Sequence, residues 1–179
     1  MKYSNLLLSV LALASIAFFA ACGDDDDEPS VDPIVGIYSL SSVTLNQDIV
    51  YNGMELSNGD DITQIVQAAL YGASPCDNGA NTVIDLRESF EVFYACKGES
   101  VTPERFGTWI VNADRSQLSM NLTIEGNPFL LVLEQLSVTE NSVSGVVTNY
   151  PLVELKPGES PPFEIKQVNV DIDFMRTTL

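Results

Sequence analysis

The chain has 179 residues, with 25 acidic and 8 basic side chains, no histidine and a net charge of −17. A balance this acidic lacks the cationic footprint that phosphate backbones require, which excludes nucleic acid as a partner class. The absence of histidine excludes hydrolases of the Ser-His-Asp kind and any imidazole base, and with only three cysteines it leaves a zinc site short of ligands.

Lys2 precedes an apolar run from Leu6 to Phe19 that ends in Phe19-Ala20-Ala21-Cys22, the layout of a secretion signal. The run is short for a hydrocarbon core of about 30 Å and is followed by acids instead of a basic flank, so a membrane-spanning helix is not expected. Ala20 and Ala21 are small enough to admit a peptidase to the backbone, and the Cys22 thiol is the nucleophile that diacylglyceryl transfer needs. The segment resembles the lipobox of bacterial lipoproteins, with Phe19 where leucine is usual. That resemblance implies removal of residues 1–21, acylation of Cys22, palmitate included, and attachment to the membrane through the lipid. Residues 22–33 then form a tether, because Asp24, Asp25, Asp26, Asp27 and Glu28 repel one another and cannot bury themselves. They lack the ligand spacing and turn glycine of a calcium loop. The acidic run resembles the export signal of surface lipoproteins of the Bacteroidota, which implies the outer face of the outer membrane. A solvated spacer is the plainer alternative.

Residues 34–179 remain, enough for one domain with a real core. Without the five tether acids the charge of the processed chain is still −13, so the surface is repelled by anionic lipid and the acyl group is its means of membrane residence. Tyr38, Leu40, Val43 and Leu45 alternate with a shift at Ser41-Ser42, a strand with a bulge. Ile49 to Met54 reads as a short strand, or as a turn at Asn52-Gly53. Ile62, Ile65, Val66, Ala69 and Leu70 recur at helical spacing behind Asp60-Asp61, and Gly72 suits the C-cap.

Strand patterns follow at Thr82–Leu86, at Phe90, Val92 and Tyr94, and at Phe106–Val111. Leu118, Met120, Leu122 and Ile124 alternate without fault, so one face is buried. Gly126-Asn127 is a turn, and Phe129–Leu136 and Val143–Val147 are apolar. Residues 155–162 read as a loop, before Val168, Val170, Ile172 and Phe174 alternate in the last strand. Seven to nine strands at short spacing, with one inserted helix, fit an all-β antiparallel barrel; a sandwich shares the same pattern. The helix is too short to be stable alone, so its apolar face is expected to cover an opening of the barrel.

Ile34-Val35-Gly36-Ile37-Tyr38-Ser39-Leu40-Ser41-Ser42-Val43 is similar to the opening strand of the lipocalin-like lipoproteins of the Bacteroidota, with Ile37 and Tyr38 in place of threonine and tryptophan. The cysteines flanking the strand at Phe90–Tyr94 and the later Gly107-Thr108-Trp109 also resemble that family. The likeness covers about residues 34–175 and implies a lipocalin-like up-and-down barrel.

Cys76 and Cys96 form an even pair in an exported chain, which suggests a disulfide; two buried free thiols are the alternative. Asp171 and Asp173 share one face of a strand, but Val170, Ile172 and Phe174 supply the core face, so the carboxylates are read as solvated. No residue carries a catalytic assignment, and no cofactor or metal is implied. Tyr38, Phe90, Tyr94 and Trp109 are the candidates for lining an interior pocket, or else for filling the core. Two function classes follow: a barrel that binds a small apolar or amphipathic ligand at the cell envelope, or a structural or interaction module whose outer surface or loops contact another envelope protein or an extracellular polymer.

Overall fold

The computed structural model describes residues 31–158 and 160–179. The signal segment, Cys22 and most of the tether lie outside the described residues. Val31–Leu179 forms one compact unit.

Among the described residues are ten strands and one α-helix: β1 (Gly36–Leu45), β2 (Ile49–Tyr51), β3 (Met54–Leu56), α1 (Thr63–Tyr71), β4 (Thr82–Leu86), β5 (Glu91–Cys96), β6 (Glu104–Val111), β7 (Leu118–Ile124), β8 (Asn127–Val138), β9 (Ser142–Leu155) and β10 (Phe163–Arg176). Eight of them close a barrel in the order β1-β10-β9-β8-β7-β6-β5-β4, and β2-β3 is a separate hairpin. All the pairings are antiparallel. Closure removes the two edges that an open sheet of such apolar strands would expose, and it excludes the sandwich.

Alternation sets the facing. Leu118, Met120 and Leu122 are buried with Tyr38 and Trp109, while Ser119, Asn121 and Thr123 face outward. The opposite facing would strand three polar side chains away from water. Ile124, at the end of β7, is only partly buried. The bulge in β1 falls between Leu40 and Ser42. Asn52 and Gly53 both take positive φ, 49° and 77°, so they form the tight turn that joins β2 to β3. The β7–β8 turn is Glu125-Gly126, with φ of 51° and 79°, one residue earlier than the sequence places it. Gly107 lies where an added Cβ would collide with the Asn121 carbonyl and Leu122 on β7, so this glycine permits the close approach of β6 to β7.

β1 pairs with β4 only over Gly36–Tyr38. Beyond that point the segment Asp60–Tyr71 fills the seam between them. Thr44 bridges Asp61, the Val43 amide donates to Thr63 Oγ1 at 2.7 Å, and the Leu40 amide, freed by the bulge, donates to Tyr71 Oη at 3.3 Å. From inside the barrel Tyr94 Oη donates to the Leu70 carbonyl at 2.5 Å. Val66, Leu70 and Tyr71 are the buried side of α1, which lies along β1 at this seam. Asp61, which accepts from the Thr63 amide, supports its N-terminus. Gly72 follows α1 at φ −59°, so it ends the helix without the left-handed conformation.

Cys76 and Cys96 are disulfide-bonded, with Cα atoms 5.4 Å apart. The bond fastens the loop after α1 to the end of β5. Glu99 ties the same loop by accepting from the Asp77 amide at 2.9 Å and Asn81 Nδ2 at 2.7 Å. Although Glu99 lies close to both sulfurs, a disulfide offers no thiolate to a metal.

Candidate functional site

The four aromatics proposed for an interior pocket are not brought together as one. Tyr38, Tyr94 and Trp109 are buried, whereas Phe90 is 57% exposed. Phe90 ends the β4–β5 turn at φ 60°, and its amide donates to the Arg87 carbonyl. The alternation of Val92 and Tyr94 therefore stops at Glu91, and Phe90 lies outside, tilted against Trp109 at a centroid distance of 5.2 Å. The polar tips of Tyr38, Tyr94 and Trp109 each have a protein partner. Tyr38 Oη donates to the Ile34 carbonyl at 2.9 Å and accepts from Arg176 Nη2 at 2.8 Å, while Trp109 Nε1 donates to the Arg87 carbonyl at 3.0 Å. The Tyr94 ring stacks on Phe106 at 3.5 Å. Burial raises the pKa of Tyr38, Tyr71, Tyr94 and Tyr150 above the usual phenol value, so all four stay neutral and act as packing groups, the first three with an anchored hydroxyl.

The open surfaces lie elsewhere. A cleft of about 440 Å³ beside α1 is lined by residues that include Gln64, Gln67 and Tyr71. A second, of about 350 Å³, lies between β8 and β9 and is lined by Phe129, Leu130, Val132, Val147 and Tyr150 among others. It exists because the β8–β9 ladder covers only Glu134, Ser137 and Val138 on the β8 side. Beyond the ladder, Phe129 and Tyr150 meet ring to ring at 5.9 Å. Neither cleft is lined by Tyr38, Tyr94 or Trp109.

Beyond this seam β9 and β10 continue as a hairpin with an inverted pattern. Val153 pairs with Ile165 and Leu155 with Phe163, so the four side chains share one face. That face is the outer one: they are 53%, 52%, 70% and 45% exposed, in the order named. The inner face carries Glu154, which is only 3% exposed. A carboxylate is tolerated there because cations and the β2-β3 hairpin enclose it. Glu154 Oε1 lies 3.0 Å from Lys156 Nζ and accepts from the Asn52 amide at 3.0 Å. Lys166 Nζ lies 2.8 Å from Oε2, a second close ion pair. Lys166 also donates to the Val50 carbonyl, and Tyr51 Oη donates to the Val153 carbonyl at 3.0 Å.

The ammonium groups of Lys166 and Lys156 hold the Glu154 pKa at about 2, below its ordinary 4.5. A depressed carboxyl pKa stabilises the fold above the unfolded value, and that contribution is lost as pH falls from about 4.5 through about 2. The amide shift of Asn52, which reports the state of Glu154, should therefore titrate with a midpoint near 2. A midpoint near 4.5 would contradict the enclosure of this carboxylate.

Fold and surface together define the class: an eight-stranded antiparallel up-and-down barrel, consistent with a lipocalin-like fold, with one short inserted helix and one disulfide. No protein-family model matches the chain, and no curated protein matches it.

Proposed function

We propose that the protein is a lipid-anchored interaction module of the cell surface, whose barrel presents the outer face of β9–β10 to a protein partner. The observation that carries this reading is the inverted hairpin: four large apolar side chains face solvent, while Tyr38, Tyr94 and Trp109 are buried with their polar tips bonded to the protein. Contiguous exposed apolar surface of this kind marks interaction sites. In this reading a lipid on Cys22, followed by the acidic tether, holds the domain at the envelope without a spanning helix. Intact mass of the protein from its native membrane should show residues 1–21 removed and acyl mass on Cys22; an unmodified cysteine in processed protein would sink the anchor.

The barrel shape is compatible with ligand-binding lipocalins in general, and the β8/β9 cleft gives a small apolar ligand a place to lie. Trp109 is the sole tryptophan and sits inside the barrel, so its emission distinguishes the two readings. Titration with a conjugated polyene fatty acid should give no saturable quenching. One-to-one saturable quenching would favour a ligand carrier over an interaction module.

A further inference from the structure

We propose that Cys76, Cys96 and Glu99 form a redox-gated site for a thiophilic divalent cation of the zinc or cadmium kind. The site is closed while the two sulfurs are bonded to each other and opens once that bond is reduced. It is separate from the β9–β10 face and goes beyond the interaction reading.

The three groups converge from two segments. Cys96 ends β5, Glu99 follows in the turn towards β6, and Cys76 comes from the loop after α1. Both sulfurs and a Glu99 oxygen lie within 4.8 Å of one another. Ligand atoms on one tetrahedral zinc, with bonds of about 2.0–2.3 Å, stand roughly 3.5 Å apart. The cysteine Cα atoms are 5.4 Å apart, so once the bond is cut rotation of the side chains brings both sulfurs onto one ion beside the carboxylate. Two thiolates select a thiophilic cation over calcium or magnesium, which take oxygen ligands. Three protein ligands leave the fourth position to water.

Glu99 is oriented by groups other than the sulfurs. Its carboxylate accepts from the Asp77 amide at 2.9 Å, the Asn78 amide at 3.4 Å and Asn81 Nδ2 at 2.7 Å, as the outer-shell donors of a metal site hold a ligand in place. Among the described residues no lysine or arginine pairs with it, and the neighbouring Lys97 is turned to Thr177 Oγ1 at 3.1 Å. Its negative charge therefore stands beside the sulfurs without a cation. Cys96 is buried, so an ion held there is partly shielded from water.

The gate is thiol–disulfide exchange with a dithiol reductant. One thiolate of the reductant attacks a cysteine sulfur and the other cysteine leaves as thiolate; the reductant's second thiol then resolves the mixed disulfide. The protein gains two electrons and two protons, and the reductant becomes its own disulfide. Cation binding then displaces the two thiol protons into solvent. Reoxidation joins the sulfurs and releases the ion.

The test uses the full chain with Cys22→Ser, which leaves Cys76 and Cys96 as its two cysteines. The disulfide is opened with a dithiol, the reductant is removed under argon, and the chain is titrated with cadmium. Reduced chain should bind one ion with ultraviolet sulfur-to-cadmium charge-transfer absorption, and oxidised chain should show none. Glu99→Gln should weaken that binding by at least about tenfold, and Asn81→Ala, which leaves all three ligands in place, by about tenfold. Circular dichroism should show the barrel strands retained on reduction. No charge-transfer absorption in the reduced chain would overturn the inference, as would loss of the strands on reduction. Equal affinity in Glu99→Gln would overturn it too, because the sulfurs alone would then hold the ion.

Discussion

Trp109→Ala should destabilise the barrel by about 3–5 kcal/mol, the range for truncating a large buried aromatic. Trp109 is 2% exposed, pairs across β6–β7 with Met120 and anchors the β4–β5 turn through its bond to the Arg87 carbonyl. The substitution therefore opens a cavity and also removes one of the two donors to the Arg87 carbonyl, which keeps only the Phe90 amide, and both terms act in the same direction. Phe90→Ala is the matched comparison. Its ring touches Trp109 from outside and is mostly solvated, so its loss should cost about 1 kcal/mol, the worth of one aromatic contact. Urea unfolding of the two variants measures the contrast. Equal costs would place Phe90 inside the barrel and contradict the turn conformation described for it.

Replacing Cys76 and Cys96 together by serine should lower stability by about 3 kcal/mol, because the bond closes a loop with a sequence separation of 20 and restricts the unfolded chain. For a domain of this size that corresponds to a fall in Tm of roughly 6–12 °C. The barrel strands should survive, since the pairing of Thr82 with Cys96 and of Val83 with Ala95 does not depend on the sulfurs. Circular dichroism melting with and without the pair gives the number. A change below about 1 kcal/mol would mean that the loop after α1 is held by Glu99 and its hydrogen bonds alone.

What was legible in the sequence follows from which face of each strand meets a uniform environment. The strand at Leu118–Ile124 has water on one side and core on the other along almost its whole length, so its alternation could be read directly. The bulge at Ser41-Ser42, the apolar face of α1 and the Cys76–Cys96 pair were legible for similar local reasons. At Phe90 the pattern misleads, because a turn in the left-handed conformation interrupts the alternation and no composition rule marks phenylalanine as a turn residue. The largest omission is the far half of the last hairpin. Strand signals at Val143–Val147 and Val168–Phe174 underestimate β9 and β10, which extend to Leu155 and begin at Phe163. There the inner face is charged, because it meets the Asn52 turn and two lysines rather than the core, and the outer face is apolar. The alternation of Val153 and Leu155 against Glu154 was present in the sequence, but only the partner hairpin reveals which side faces inward.

On the interaction reading the barrel is filled by its own side chains and works through its outer surface, and xenon reports on this most directly, since the gas enters dry apolar cavities large enough to hold a ligand. Methyl spectra of the folded protein under xenon pressure should show small, non-saturating shifts at Leu118, Leu131, Leu133 and Val170. Saturable shifts at those buried methyls would reveal an enclosed cavity, contradict the filled interior and return the barrel to the role of a ligand container.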